Sequence, residues 1–293
     1  MKFHIISVGN ELLSGRTLNT NLQTICNNLA DIGCTVSRSY VIRDNCDEIS
    51  WALNQAISSD SDWIILSGGL GPTYDDMTLS CTASTLNLPL ELNEIALEMI
   101  IQRYKDLVDQ NIIDSFSITD SRKKMALLPQ NSIPLKNNVG TAPGVLIKYE
   151  NKNIVCLPGV PKEMENILIH EVFPLIDYDK VDKVTSKVLY IDGITESELA
   201  PIIYEFVSTN DLYIKSHPQG ITDGIYHIEL VVSYHSKKFS EPIKPNFKVS
   251  ALKARIFSKP NSKKKLKKFL PYESRLKIIK KNEKYKKSII AFL

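Results

Sequence analysis

Apolar positions along the first 175 residues follow two alternating periods. Phe3 to Val8 reads as a largely apolar strand, and Leu18, Leu22, Ile25, Leu29 and Ile32 follow at helical spacing until Gly33 stops the helix. Thr35 to Ile42 reads as a second strand. Asp47 then caps a helix carrying Ile49, Leu53 and Ile57, and Trp63 to Leu66 is a third, short strand. Strands alternating with amphipathic helices predict a parallel sheet covered on both faces, with right-handed crossovers. The stretch from Asn93 to Leu128 reads as helical, with Ile95, Met99, Tyr104 and Leu107 as core positions. Gly144 to Tyr149 and Lys152 to Leu157 predict a hairpin about Glu150-Asn151, and Pro158-Gly159-Val160-Pro161 opens a helix running to about Ile176. From Val184 the pattern describes a smaller α+β unit: strands at Val184 to Asp192, Leu212 to Lys215 and Ile225 to Tyr234, and a helix at Glu196 to Val207.

Ligands of open parallel sheets bind beyond the carboxyl ends of the strands. Three loops follow strands directly and so emerge at one edge: Gly9 to Gly15, Arg43-Asp44, and Ser67 to Asp76. The third is Ser67-Gly68-Gly69-Leu70-Gly71-Pro72-Thr73-Tyr74-Asp75-Asp76. Gly68, Gly69 and Gly71 remove three side chains where the backbone turns, so a ligand can approach the amides. A helix start near Asp76 would aim free N–H groups at an anion. Two adjacent carboxylates oppose a bare anion, however, and the combination favours phosphate bridged by a hard cation such as Mg²⁺. By itself such a turn is often only a strand-to-helix connection, and such an Asp only a cap.

The fuller pattern Gly68-Gly69-Leu70-Gly71-Pro72-Thr73-x-Asp75-Asp76-x-Thr78 resembles the signature loop of the MoaB/MogA superfamily of molybdopterin-binding domains, and within it the CinA branch. Val8-Gly9-Asn10-Glu11-Leu12-Leu13-Ser14-Gly15-Arg16, Arg43-Asp44, Asn137-Asn138-Val139-Gly140-Thr141-Ala142-Pro143-Gly144 and Leu157-Pro158-Gly159-Val160-Pro161-Lys162-Glu163-Met164 match further family stretches in the same order. The resemblance covers roughly residues 3 to 175. It implies an α/β, three-layer MoaB/MogA-like domain with a mostly parallel sheet at 1–177, a small α+β domain at 178–236 and, departing from the family, a basic tail at 237–293.

For function the resemblance implies metal-dependent hydrolysis of a dinucleotide pyrophosphate such as ADP-ribose, the activity associated with the CinA branch. The alternatives are molybdopterin binding with adenylyl transfer in molybdenum cofactor biosynthesis, or a non-catalytic nucleotide-binding module. In the first reading Asp76, with Asp44, holds a divalent Mg, Mn or Co ion, and Asp75 is a weaker ligand candidate that caps the helix instead. Glu11 or Asp44 orients the water. Gly9, Ser14, Gly68, Gly69, Gly71, Pro72 and Thr73 contact the phosphates. Asn137, Gly140, Thr141, Gly159 and Pro161 line the same pocket, although Pro and Gly at strand ends are usually turns and Asn137 can simply bond its own backbone. The expected partners are a small nucleotide substrate and a second copy of the chain in a homo-oligomer.

Charge divides the chain unevenly. Lys237 to Leu293 holds 19 basic against 3 acidic residues, a net of +16, whereas residues 1–236 hold 17 against 30, a net of −13. A stretch such as Lys263-Lys264-Lys265-Leu266-Lys267-Lys268 could meet nucleic acid or an anionic membrane, but a charge run is usually a solvated or disordered segment. Folding back onto the acidic body, or a changed reading frame in the source gene, are the other accounts. His217 and His227 are not at a metal-ligand spacing. No apolar run approaches the roughly 18 residues a membrane span needs, and the strand beginning at Phe3 leaves no secretory signal, so a cytoplasmic protein is expected. Cys26, Cys34, Cys46, Cys81 and Cys156 are odd in number and lack Cys-x-x-Cys spacing, which reads as reduced, packed thiols.

Overall fold

The computed structural model describes residues 1–181, 184–209, 212–235 and 255–257. By its contacts the chain divides into two compact units, Met1–Val181 and Asp182–Leu293.

The first unit is built on a six-stranded sheet in the order β2-β1-β3-β8-β7-β6. Its strands are β1 (Lys2–Val8), β2 (Thr35–Ile42), β3 (Trp63–Ser67), β6 (Ile133–Leu135), β7 (Gly144–Tyr149) and β8 (Lys152–Leu157). The pairs β1·β2, β1·β3 and β3·β8 are parallel, while β7 runs antiparallel to both β8 and β6. Alternate residues of each strand face opposite layers. Ile6, Val8, Ile64, Leu66, Ile154 and Cys156 pack under α3 (Cys46–Ile57), α4 (Thr78–Thr85) and α5 (Glu94–Asp109). Phe3, Ile5, Trp63, Ile65, Val155 and Leu157 pack under α2 (Thr20–Asp31) and α7 (Pro161–Ile167). The result is the expected three-layer, MoaB/MogA-like arrangement. The remaining elements are α1 (Asn10–Leu13), α6 (Asp120–Lys124) and a two-stranded ribbon of β4 (Leu90–Leu92) and β5 (Leu127–Pro129).

Several local expectations need correction. Asn45, not Asp47, caps α3, because its side chain accepts from the amide of Glu48 while Asp47 already lies inside the first turn. The helical stretch after Asn93 is not continuous: α5 ends at Asp109, α6 is separate, and β5 follows. Its first turns bury Ala96 and Ile100 fully in place of the expected Ile95, which is 63% exposed, and Met99, while Tyr104 packs against the core as expected. The helix after Pro161 passes into a π turn at Leu168–Val172 and a 3-10 turn at Phe173–Leu175. Cys46 and Cys81 form a disulfide between α3 and α4, which overturns the expectation of reduced thiols; Cys26, Cys34 and Cys156 are free. Spacing conceals this pair because the sheet, not the chain, brings the two helices together.

The second unit carries β9 (Val184–Asp192), α8 (Glu196–Thr209), β10 (Leu212–Thr222), β11 (Ile225–His235) and β12 (Arg255–Phe257), in the antiparallel order β10-β11-β9-β12. Thr195 and Glu198 exchange side-chain and backbone hydrogen bonds at the start of α8, a capping box. β10 runs to Thr222, well past Lys215, because its pairing with β11 continues through a register shift between Pro218 and Gly220. His227 Nδ1 lies 2.6 Å from Asp192 Oδ1 across β11 and β9. Of the expected basic tail, Arg255–Phe257 pair with β9, and the rest lies outside the described residues. Among the described residues no helix is long and apolar enough to cross a membrane.

Candidate functional site

The carboxyl ends of β1, β2, β3 and β8 open onto one cavity of about 380 Å³, within the usual range for a small-ligand site. The turn after β3 forms its floor. Gly68 has φ +117° and Gly69 φ +67°, which non-glycine residues rarely adopt, and a Cβ on Gly68 would lie 2.2 Å from the carbonyl oxygen of Val8. Only glycine lets β3 turn this close to β1. Thr78, wholly buried, donates its Oγ1 to Gly68 O at 2.8 Å and its amide to Gly69 O at 3.2 Å, fixing the turn from below. Among the described residues no hydrogen bond takes up the amides of Gly69, Leu70 or Gly71. The helix starts at Thr78, later than expected near Asp76, and Thr78 does not line the cavity, so the glycine turn rather than a helix end faces a ligand.

Thr73 organises the acidic pair. Its amide donates to Asp76 Oδ2 at 2.8 Å, and its hydroxyl lies 2.5 Å from Asp75 Oδ1 and 2.6 Å from Asp76 Oδ2. One hydroxyl proton serves one carboxylate at a time. The Thr73 bond holds the Asp75 carboxyl below its ordinary value, and Asp75 does not cap α4. Lys124 donates to Thr73 O from outside. On the adjoining loop Asp44 accepts from the amide of Asn10 at 2.7 Å. Partial burial pushes the Asp44 carboxyl up, against the Asn10 bond, and the charges of Glu11 and Asp75 add to the rise.

The opposite wall is the loop 137–142 with the first turn of α7. Asn137 is 8% exposed. Its Oδ1 accepts from the amides of Val139 (3.0 Å) and Gly140 (2.7 Å), and its Nδ2 donates to Ala142 O (2.8 Å) and Glu163 Oε2 (2.7 Å). Arg103 of α5 donates to Val139 O and Gly140 O. Asn137 therefore does bond its own backbone, and it also holds a carboxylate at the cavity.

The cavity is thus lined by Glu11, Asp44, Gly68, Gly69, Gly71, Pro72, Thr73, Asp75, Asp76, Thr141 and Gly159 among the residues expected from sequence. Gly9, Ser14, Asn137, Gly140 and Pro161 are adjacent but do not line it. Ser14 Oγ turns back to Glu11 O, Gly9 N bonds Ile42 O, and Pro161 is the first residue of α7. Glu163 lines the cavity and was assigned no role by sequence reasoning; its signal was its place in the Leu157 to Met164 stretch. Asn21 is a further residue missed. Buried in α2, it donates Nδ2 to Ser67 Oγ (3.0 Å) and Gly159 O (2.8 Å), joining the loops after β3 and β8.

Five carboxylates line the cavity and no lysine or arginine does. That donor set fits a hard divalent cation held by one or two carboxylates and completed by ligand oxygens. It is not a closed cage: among the described residues no three His, Cys, Asp or Glu side chains are grouped to hold a metal by themselves.

The sequence of residues 4–178 matches the family described as probable molybdopterin binding domain. A protein of Sulfurisphaera tokodaii is 44% identical over 216 residues, 74% of this chain and 80% of its own. One from Saccharolobus solfataricus is 38% identical over 237 residues, 81% and 85%. The crystal structure of CinA from Thermoplasma acidophilum, a protein described there as of unknown function, is 42% identical and superposes with a TM-score of 0.54, covering 60% of this chain and 98% of that one.

Proposed function

The chain belongs to the family of probable molybdopterin-binding domains, and from that premise we propose that its cavity binds a phosphorylated pterin of molybdopterin type together with a divalent cation and forms or cleaves a phosphoanhydride on it. The observation that carries this reading is the lining: five carboxylates and no basic side chain around a glycine turn with open amides. An anion cannot enter such a site alone at neutral pH.

Asp76, with Asp44, would hold the cation, whose contribution is to neutralise charge developing on phosphate oxygens. The amides of Gly69, Leu70 and Gly71 orient the phosphate. The Thr73 hydroxyl turns its hydrogen bond toward one or the other of the two neighbouring carboxylates as charge changes. In adenylyl transfer a phosphate oxygen of the bound pterin attacks the α-phosphorus of ATP, and the bond from that phosphorus to pyrophosphate breaks.

The second reading is hydrolysis of a dinucleotide pyrophosphate such as ADP-ribose. It is favoured by the CinA-like Leu70, Pro72-Thr73 and double Asp. One panel separates the two: purified protein with ADP-ribose, or with molybdopterin and ATP, each with Mg²⁺, Mn²⁺, Co²⁺ or chelator. Cation-dependent adenylylation supports the first reading and cation-dependent AMP release the second. Turnover or binding that is indifferent to cation overturns both.

A further inference from the structure

Two ties join α3 to α4. Cys46 and Cys81 are disulfide-bonded, and Ser50 Oγ lies 2.7 Å from Thr85 Oγ1. From the first tie to the second, each helix advances by about one turn, so the two run side by side in the same direction with their N-terminal ends together. The disulfide is the tie at the cavity end. Asp44 stands just before Cys46 in the chain, and Thr78, which bonds to Gly68 O and Gly69 O, stands one turn before Cys81. The bond therefore couples the loop of Asp44 to the glycine turn and to Asp75 and Asp76, whose loop leads into α4. Burial, and after it the charges of Glu11 and Asp75, push the Asp44 carboxyl up. Two acidic loops are thus held together against their own repulsion, which a cation between them relieves.

The two sulfurs differ in access. Cys46 is exposed at the first residue of α3, whereas Cys81 is fully buried. A dithiol reductant meets the Cys46 sulfur first. Its thiolate attacks there, forming a mixed disulfide as the Cys46–Cys81 bond breaks, and the electron pair leaves on the Cys81 sulfur, which takes up a proton. The second thiol of the reductant then closes a cyclic disulfide and releases Cys46 as a thiol. Two electrons and two protons pass to the protein in all. The helices stay docked, because the Ser50 to Thr85 tie remains and Ile49, Leu53, Leu79 and Leu86 share one core. Resting on the phosphate-and-cation reading of the same cavity, we propose that the Cys46–Cys81 disulfide is a redox switch on the cation site: the oxidised chain holds a divalent cation and its phosphate ligand tightly, and reduction frees the Asp44 loop from the glycine turn and weakens that binding.

The test is calorimetric titration of the full chain with Mn²⁺ in the presence of ADP, once oxidised and once reduced by a dithiol that is then removed under anaerobic conditions. Affinity should fall on reduction by on the order of tenfold, an ordinary coupling between two sites. Linkage requires the reverse effect by the same factor at saturation. In a buffer of reduced and oxidised dithiothreitol, with thiols counted by alkylation and mass, Mn²⁺ and ADP should therefore shift the protein about tenfold toward the disulfide, and chelator should abolish the shift. The circular dichroism of the reduced chain should remain that of the folded protein. Equal Mn²⁺ affinity in the two states, or a redox ratio indifferent to Mn²⁺ and ADP, overturns the switch while leaving the phosphate-and-cation reading standing. A reduced chain that unfolds overturns the switch too, because the disulfide then serves the fold and not the site. Failure of Mn²⁺ and ADP to bind in either state overturns both.

Discussion

The two walls of the cavity solve the same problem, holding a short loop still, by opposite means. The turn after β3 is fixed by backbone: positive φ at Gly68 and Gly69, contact with Val8 O, and Thr78 bonded beneath. Its amides stay open and its carboxylates share a hydroxyl. The loop 137–142 is fixed by side chains, Asn137 from within and Arg103 from outside. A wall made of backbone tolerates no added atom and accepts many phosphate ligands, since it reads only charge. A wall made of side chains can be edited one group at a time, and it is suited to reading shape.

The largest effect should come from placing a methyl group where backbone meets backbone. Gly68→Ala sets Cβ against the Val8 carbonyl at a φ that L-residues avoid, so a stability loss of about 3 kcal/mol, read as a lowered thermal midpoint, is expected with loss of ligand binding. Near-normal stability in this variant would break the comparison. Next, Asn137→Ala leaves two loop amides, a carbonyl and the Glu163 carboxylate without their partner. Chemical denaturation should show a loss of about 2 kcal/mol.

Asp44 gives an effect on binding rather than on the fold. Burial raises its folded-state pKa above the ordinary 3.8, so protonation favours the native state, and that increment is lost as pH rises through the raised value. Cation affinity runs the other way, growing over the same window as the carboxylate ionises. Mn²⁺ titrations should therefore strengthen with pH above 3.8, and Asp44→Asn should weaken the metal by about tenfold and flatten that limb. A pH profile unchanged in Asp44→Asn would remove Asp44 from the site. The smallest change is Gly140→Ala. The nearest atoms to its Cβ all belong to the end of the Glu163 side chain, so the side chain swings away and the loss of the Asn137 bond costs about 1 kcal/mol. Equal destabilisation by Gly140→Ala and Gly68→Ala would show that the two walls do not differ.

Much of this was legible in the sequence because it depends on local rules. Phe3 to Val8 and Trp63 to Leu66 are apolar on both faces, as only central parallel strands require, and the loops that follow them had to share an edge. Nearly the whole acidic set, Glu11, Asp44, Asp75 and Asp76, followed from that topology. What escaped depends on distance in space. Glu163 lies in the first turn of a helix whose partner, Asn137, is 26 residues away. Asn21 reaches 138 residues to Gly159. The one-residue error at the start of α5 arose because Ile95 and Met99 carry more apolar surface than Ala96, yet Ala96 and Ile100 are the positions that face the core.

The bond between Cys46 and Cys81 also shapes the chain when it is not folded. It encloses the strand Trp63–Ser67, the whole glycine turn and both of its aspartates in a covalent loop spanning a sequence separation of 35 residues. Closing a loop of that length removes unfolded-chain entropy worth about 4 kcal/mol in the loop-entropy model. The segment that forms the floor of the cavity therefore begins folding with its ends already joined to the helix that follows Asp44. Unfolding under oxidising conditions cannot fully separate the two acidic loops.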